Sequence, residues 1–225
     1  VIVVCDDIVQ RSGCLRPGVL EDLASLWRRL APGLVPAPPR RVRVIPETLS
    51  VHLVPIESAE LARRHRVVEC PCGIDVRALD ALCVPTFDSM TEASLQSRHL
   101  GPSVPAVELP IGSPDLLRVL QDLTSSPPGR APGCSRGKPV RLVAASGGRL
   151  DGVLVDLRWP SASSSRNCAG VVWPAALASG VQCPDLRPGD VVLVDVRYSA
   201  ARGGLVVAPL SVELSREKAS VCSAP

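Results

Sequence analysis

The chain opens on a bare apolar run. Residues 1–5, VIVVC, are β-formers that lead into two adjacent carboxylates, Asp6 and Asp7. This pattern predicts a short strand whose tip carries acids. A turn rich in Gly and Pro follows, and the period then becomes helical. Val19, Leu20, Leu23, Leu26, Trp27 and Leu30 share one helical face, so VLEDLASLWRRL predicts an amphipathic helix, and Gly33 suits its stop. The segment VPAPPRR at 35–41 is a stiff loop. From residue 42 the period shortens to two. Leu49, Val51 and Leu53 alternate with Ser50 and His52, which predicts a strand running to about Ile56.

Residues 57–100 are mixed. ESAELARRHR supports one or two helical turns, and GIDVRALDAL at 73–82 is a second short helical candidate. Beyond residue 100 the chain reads as strand-rich. Val104–Leu109 and Val140–Val143 are strands separated by a Pro/Gly/Ser loop at 123–139. Val153, Val155, Leu157 and Trp159 alternate with Leu154, Asp156 and Arg158, the pattern of a half-buried strand, and the loop PSASSSR follows at 160–166. Pro188, Gly189 and Asp190 make a turn. Val192, Val194, Val196 and Tyr198 then share one strand face, with Asp195 and Arg197 on the other. Residues 200–204 turn the chain, Leu205–Leu214 returns antiparallel, and the tail from Ser215 frays.

Composition narrows the class. The length of 225 residues allows one large domain or two small ones, and 46% apolar content makes the chain globular. Aromatics are only 2%, so Val, Leu and Ala must fill the core, and binding modes that need stacked aromatics are disfavoured. The net charge of +3 is near balance and carries no strong nucleic-acid signal. Nine cysteines, an odd number, are scattered without CxxC spacing; Cys70-Pro-Cys72 with His65 nearby falls short of two spaced ligand pairs. Reduced, mostly buried thiols are therefore expected, and no metal. No apolar run approaches the roughly 20 residues that span a bilayer, and the N-terminus lacks the pattern of a secretory signal. The expected compartment is cytoplasmic or nuclear.

Nucleotide and hydrolase motifs are absent from the sequence: it has no GxGxxG, no P-loop and no GxSxG. His52 falls mid-strand, where a solvated or capped imidazole is expected. Adjacent strand residues point to opposite faces, so Asp6 and Asp7 cannot grip one group together without a bulge.

The collinear order of segments resembles the protein arginine methyltransferases, in the part that follows their cofactor domain. VVCDD and CLRPGVLEDL resemble the strand tip and loop on which that family carries two glutamates for the substrate guanidinium. The resemblance puts Asp6 or Asp7 at the first acid and Pro17 near the second, with Arg16 beside it. IPETLSVHLVPIES at 45–58, CGIDVRALDAL, VRLVAASGGRLDGVLVDLRW at 140–159 and VVWPAALASGVQCPDLRPGDVVLVDVRY at 171–198 resemble successive parts of the family's barrel. Of its Thr-His-Trp element Trp173 remains, with Val171 and Val172 in the other places.

The resemblance implies a mainly β protein with some α. An edge strand and helix of an incomplete α/β methyltransferase-like domain at 1–41 would precede an antiparallel β-barrel at 42–214. That barrel would carry a partly helical, arm-like insertion at about 59–100, and a tail would follow at 215–225. It implies Asp6, Asp7 and Trp173 as remnants of catalytic elements. It also implies S-adenosylmethionine as the cofactor of a full-length family member and none bound by this stretch, which lacks the glycine-rich loop. The implied partners are an upstream methyltransferase domain or tandem module, a protein substrate, or a second copy in a homodimer, with no membrane. The bare start at Val1 is read as the loss of the cofactor-binding half, leaving the strand Val1–Val4 with an unpaired edge. Two alternatives remain open: an active arginine methyltransferase when full length, and an unrelated all-β binding module.

Overall fold

In the computed structural model the described residues are 2–5, 8–9, 15–30, 42–64, 88–91, 96–124, 139–159, 171–174, 185–199 and 204–214. The first elements are strand β1 (Ile2–Val4), helix α1 (Val19–Leu30) and strand β2 (Arg43–Ile45). β1 pairs with β2 in parallel, with Val3 opposite Val44. The first strand thus finds one partner later in the chain, while its other edge carries no ladder among the described residues. The connection runs through α1, as parallel neighbours require a crossover and a helix supplies it. Val44 is buried, whereas Ile2 and Val4 are 67% and 65% exposed on the opposite face.

α1 forms where its apolar stripe demanded. Val19, Leu20, Leu23, Ala24 and Trp27 are buried, and the charged residues match the helix dipole, with Glu21 and Asp22 in the first turn and Arg28 and Arg29 in the last.

Next come β3 (Leu49–Glu57), helix α2 (Ala59–Arg64), β4 (Asp88–Thr91), β5 (Arg98–His99), β6 (Val104–Leu109) and helix α3 (Asp115–Thr124). The helix α3 corrects the strand-rich reading of the second half. Its signals are local. The Ser113 hydroxyl accepts from Asp115 N at 3.2 Å, Pro114 precedes the first helical residue, and Leu116 and Leu120 are buried four apart. The Trp27 indole Nε1–H donates to the Ile111 carbonyl at 3.0 Å and ties α1 to the approach of α3.

The last strands are β7 (Val140–Val143), β8 (Gly148–Arg149), β9 (Gly152–Arg158), β10 (Val171–Pro174), β11 (Asp185–Leu186), β12 (Val191–Ser199) and β13 (Gly204–Glu213). The principal sheet runs β4-β10-β9-β3-β5, with β6 also on β3. A second sheet runs β13-β12-β7, and β8 pairs with β11. Among the described residues, every ladder between strands apart from β1–β2 is antiparallel.

The protein is thus mainly β with some helix. The expected barrel is corrected: among the described residues the ladders do not close on themselves. Closure needs continuous strand pairing around the ring. Here β5 and β8 are two residues long, and single backbone bonds replace a ladder between the sheets: Ala145 N and Ser146 N both donate to Leu100 O, at 2.7 and 3.0 Å.

β9 also departs from expectation, since Gly152 to Leu157 are all buried rather than alternately so. Its odd residues Val153, Val155 and Leu157 join the main core, while Leu154 packs with Val54, Ile56 and Leu61 of α2 in a second, smaller cluster. Both faces of this central strand are covered, which takes Asp156 inside with them.

Candidate functional site

The loop between β1 and α1 is the place to which the sequence assigned its acids. Its described residues form a pinched return. Ile8 is 1% exposed, its carbonyl accepts from Arg16 N at 2.8 Å, and Val9 bridges Leu15. The Pro17-Gly18 turn then starts the helix: Val19 N donates to Arg16 O at 3.1 Å, and Gly18 takes φ +78°, a conformation L side chains rarely adopt. Asp6 and Asp7 lie outside the described residues. Arg16, beside the place assigned to the second acid, is described: its guanidinium pairs with Asp22 at 3.2 Å. The guanidinium beside Pro17 thus has a carboxylate partner in the first turn of α1.

The first turn of α1 also faces the second sheet. Tyr198, near the end of β12, is 8% exposed, and its phenol is pushed far above its ordinary value, first by burial and then by the Glu21 carboxylate. Neither the Tyr198 hydroxyl nor Glu21 Oε2 has a well-aligned hydrogen bond among the described residues. Glu21 thus acts on the phenol by proximity and charge. The sequence put Tyr198 on one strand face with Val192, Val194 and Val196; only the fold brings Glu21 to it.

Trp173 occupies β10, with its backbone opposite Val153 of β9 and its strand between β9 and β4. It belongs to the principal sheet, whereas the loop after β1 belongs to the parallel unit.

Two further polar clusters are built on the principal sheet. At the end of β3, Glu57 accepts from Arg98 Nε at 3.0 Å and Nη2 at 2.5 Å, and Arg149 N reaches its other oxygen at 3.3 Å. The Arg98 bond is the chief reason the Glu57 carboxyl lies below its ordinary value. Asp151, 4% exposed, accepts from Ser58 N at 2.9 Å and from Arg149 Nε at 2.5 Å, and Ser58 Oγ accepts from Leu61 N at 3.3 Å as the cap of α2. All these groups are mutually satisfied, so the cluster organises structure.

The second cluster joins His52, opposite Asp156 across the β3–β9 ladder, to Ser103 and Arg158. His52 Nδ1 is 3.4 Å from Ser103 Oγ; Arg158 donates to that oxygen at 3.1 Å and to Asp156 Oδ2 at 2.6 Å. Burial, and after it the Arg158 charge, push the imidazole below its ordinary value, while Asp156 pulls the other way. The expected solvated or capped histidine is half-buried with a serine beside it.

No group of His, Cys, Asp and Glu among the described residues could hold a metal ion; His65, Cys70 and Cys72 lie outside them. Among the described residues no helix is long and apolar enough to cross a membrane.

No protein-family model matches the chain, and no curated protein matches it. The solved structures do include similar chains. One is the PRMT1 enzyme–prozyme heterotetrameric complex with AdoHcy from Trypanosoma brucei, aligned over 93% of this chain and 68% of that one, with a TM-score of 0.51 and 12% identity. At that identity the likeness concerns the fold, and the chain has a PRMT-like fold.

Proposed function

We propose that this chain is the post-cofactor portion of a protein arginine methyltransferase-like protein and is not catalytic by itself. Its role is packing, pairing with a second chain, or presenting a protein substrate. The observation that carries the reading is the β1–α1–β2 unit joined to antiparallel sheets in a fold similar to PRMT1 over 93% of its length. Parallel strands are found with both faces covered. Here Ile2 and Val4, at 67% and 65% exposure, leave one face of a two-stranded parallel sheet bare, which suits cover by a further layer of a larger α/β domain. In the similar structure an enzyme is assembled with a prozyme, which supports pairing as the role of a chain without its own cofactor loop.

The test is S-adenosylmethionine binding and arginine methylation, measured on this chain and on a longer product of its reading frame. The 225-residue chain is expected to show neither binding nor turnover. A glycine-rich nucleotide loop is expected upstream of Val1. Cofactor binding by the chain alone, or a longer reading frame without such a loop, would overturn the proposal. If the longer protein is active, Asp6→Ala and Asp7→Ala separate the readings, because unchanged turnover in both removes these residues from any substrate-binding role.

A further inference from the structure

Asp156 poses a problem that the proposed role does not use. Its side chain is 9% exposed, and while Oδ2 takes the Arg158 bond, Oδ1 is buried without a partner among the described residues. A buried carboxylate oxygen left unpaired is costly and calls for a donor. His52 stands directly across the ladder from it.

We propose that His52 and Asp156 form a proton-operated switch at the joint between the two sheets. In the neutral state His52 Nδ1 sits by the Ser103 hydroxyl, whose oxygen also takes a proton bond from Arg158. In the Nε2–H tautomer, where Ser103 Oγ–H donates to Nδ1, protonation removes the Nδ1 lone pair and places a second cation beside Arg158. The vacant oxygen of Asp156 then offers the ring both a hydrogen-bond acceptor and a counter-charge. The ring turns toward Asp156 and loosens its hold on Ser103.

The charged groups facing His52 are Asp156 and Arg158 from β9. β6 sets Pro105 opposite His52 and Glu108 opposite the neighbouring Ser50, and the turn before β6 contributes Ser103, which does not titrate here.

The moving part is the turn 101–103 between β5 and β6. Its neighbour Leu100 donates N–H to Pro55 O at 2.8 Å and accepts the two bonds from Ala145 and Ser146 that link the sheets. Gly101 packs so tightly on the backbone of β7 that a Cβ would strike the Val143 carbonyl, so displacement of this turn reaches β7.

The experiment follows amide hydrogen exchange at Ala145 and Ser146, corrected for intrinsic rates, alongside NMR titration of the His52 ring in the full 225-residue chain. Between pH 7.5 and 4.5, corrected exchange is expected to rise about tenfold, with the midpoint of the His52 titration falling below the ordinary imidazole value. His52→Gln should keep exchange flat across that range, and Asp156→Asn should move the midpoint to lower pH. Corrected exchange that is flat in the native chain, or that rises equally in His52→Gln, would overturn the switch. If His52→Gln does not fold, the native chain still decides: a His52 titration that leaves the Ala145 and Ser146 amide shifts unmoved overturns it.

Discussion

Tyr198 is the single tyrosine of the chain, and its environment makes it a reporter. Burial and the Glu21 carboxylate raise its folded-state value well above the ordinary phenol. A raised folded value means that the folded form keeps its proton while the unfolded form releases it. The associated stability is therefore whole below about pH 10 and is lost as pH rises beyond it. Absorbance at the phenolate band should stay low past pH 10.5 and rise together with loss of the circular-dichroism signal. Phenolate appearing near pH 10 in a folded chain would show that Tyr198 is solvated. His52 acts in the opposite sense. Its folded value is lowered, so the stability it confers is present above the ordinary imidazole value of about 6.5 and declines as pH falls through it. His52→Gln should flatten the acid limb of a urea-midpoint profile between pH 7.5 and 5.5. The sequence announced neither environment, because alternation tells which face a residue takes and not what lies opposite it.

At the scale of elements, the junctions are the weak points. The Ser113 hydroxyl caps α3, and losing such a cap typically costs about 1 kcal/mol. Ser113→Ala should lower the urea midpoint accordingly without changing the slope. Gly148 is more severe. It takes φ +156°, and a Cβ there would meet Arg98 Nη2, Leu100 and Glu57 Oε2. Gly148→Ala must displace the ion pair at the end of β3, with an expected loss on the order of 2 kcal/mol, read from chemical denaturation. A change within 0.5 kcal/mol would mean that the Arg98–Glu57 arrangement yields freely.

Periodicity foresaw several of these elements well. The stripe from Val19 to Leu30 became α1, Val104–Leu109 and Val140–Val143 became strands, and the turn at Pro188–Asp190 leads into the β12–β13 hairpin. α3 escaped notice although Ser113, Pro114 and its leucines spell it locally. The half-buried reading of β9 failed because its second face is covered by α2. Burial of that face depends on a neighbour far along the chain.

At the scale of the whole molecule, the exposed face of β1 distinguishes a self-contained unit from one that is covered in a larger protein. Ile2→Ser with Val4→Ser should change the stability of the 225-residue chain by less than about 0.5 kcal/mol, because both side chains are largely exposed. In a longer product whose upstream domain covers this face, the same pair should cost about 2 kcal/mol or more. Equal, small effects in both proteins would remove the principal physical support for an adjoining α/β domain.

The sequence by itself determined the local elements, the order in which they follow one another, and the collinear likeness that pointed to a PRMT-like fold. Those depend on spacing and residue type, which the chain carries explicitly. The tertiary structure alone decided that β1 pairs in parallel with Arg43–Ile45, that the sheets of the described residues are linked through Leu100, and that Glu21 faces Tyr198 and His52 faces Asp156. Each of these joins residues tens to nearly two hundred positions apart. Such pairings arise from the simultaneous burial of many side chains, which no local pattern records.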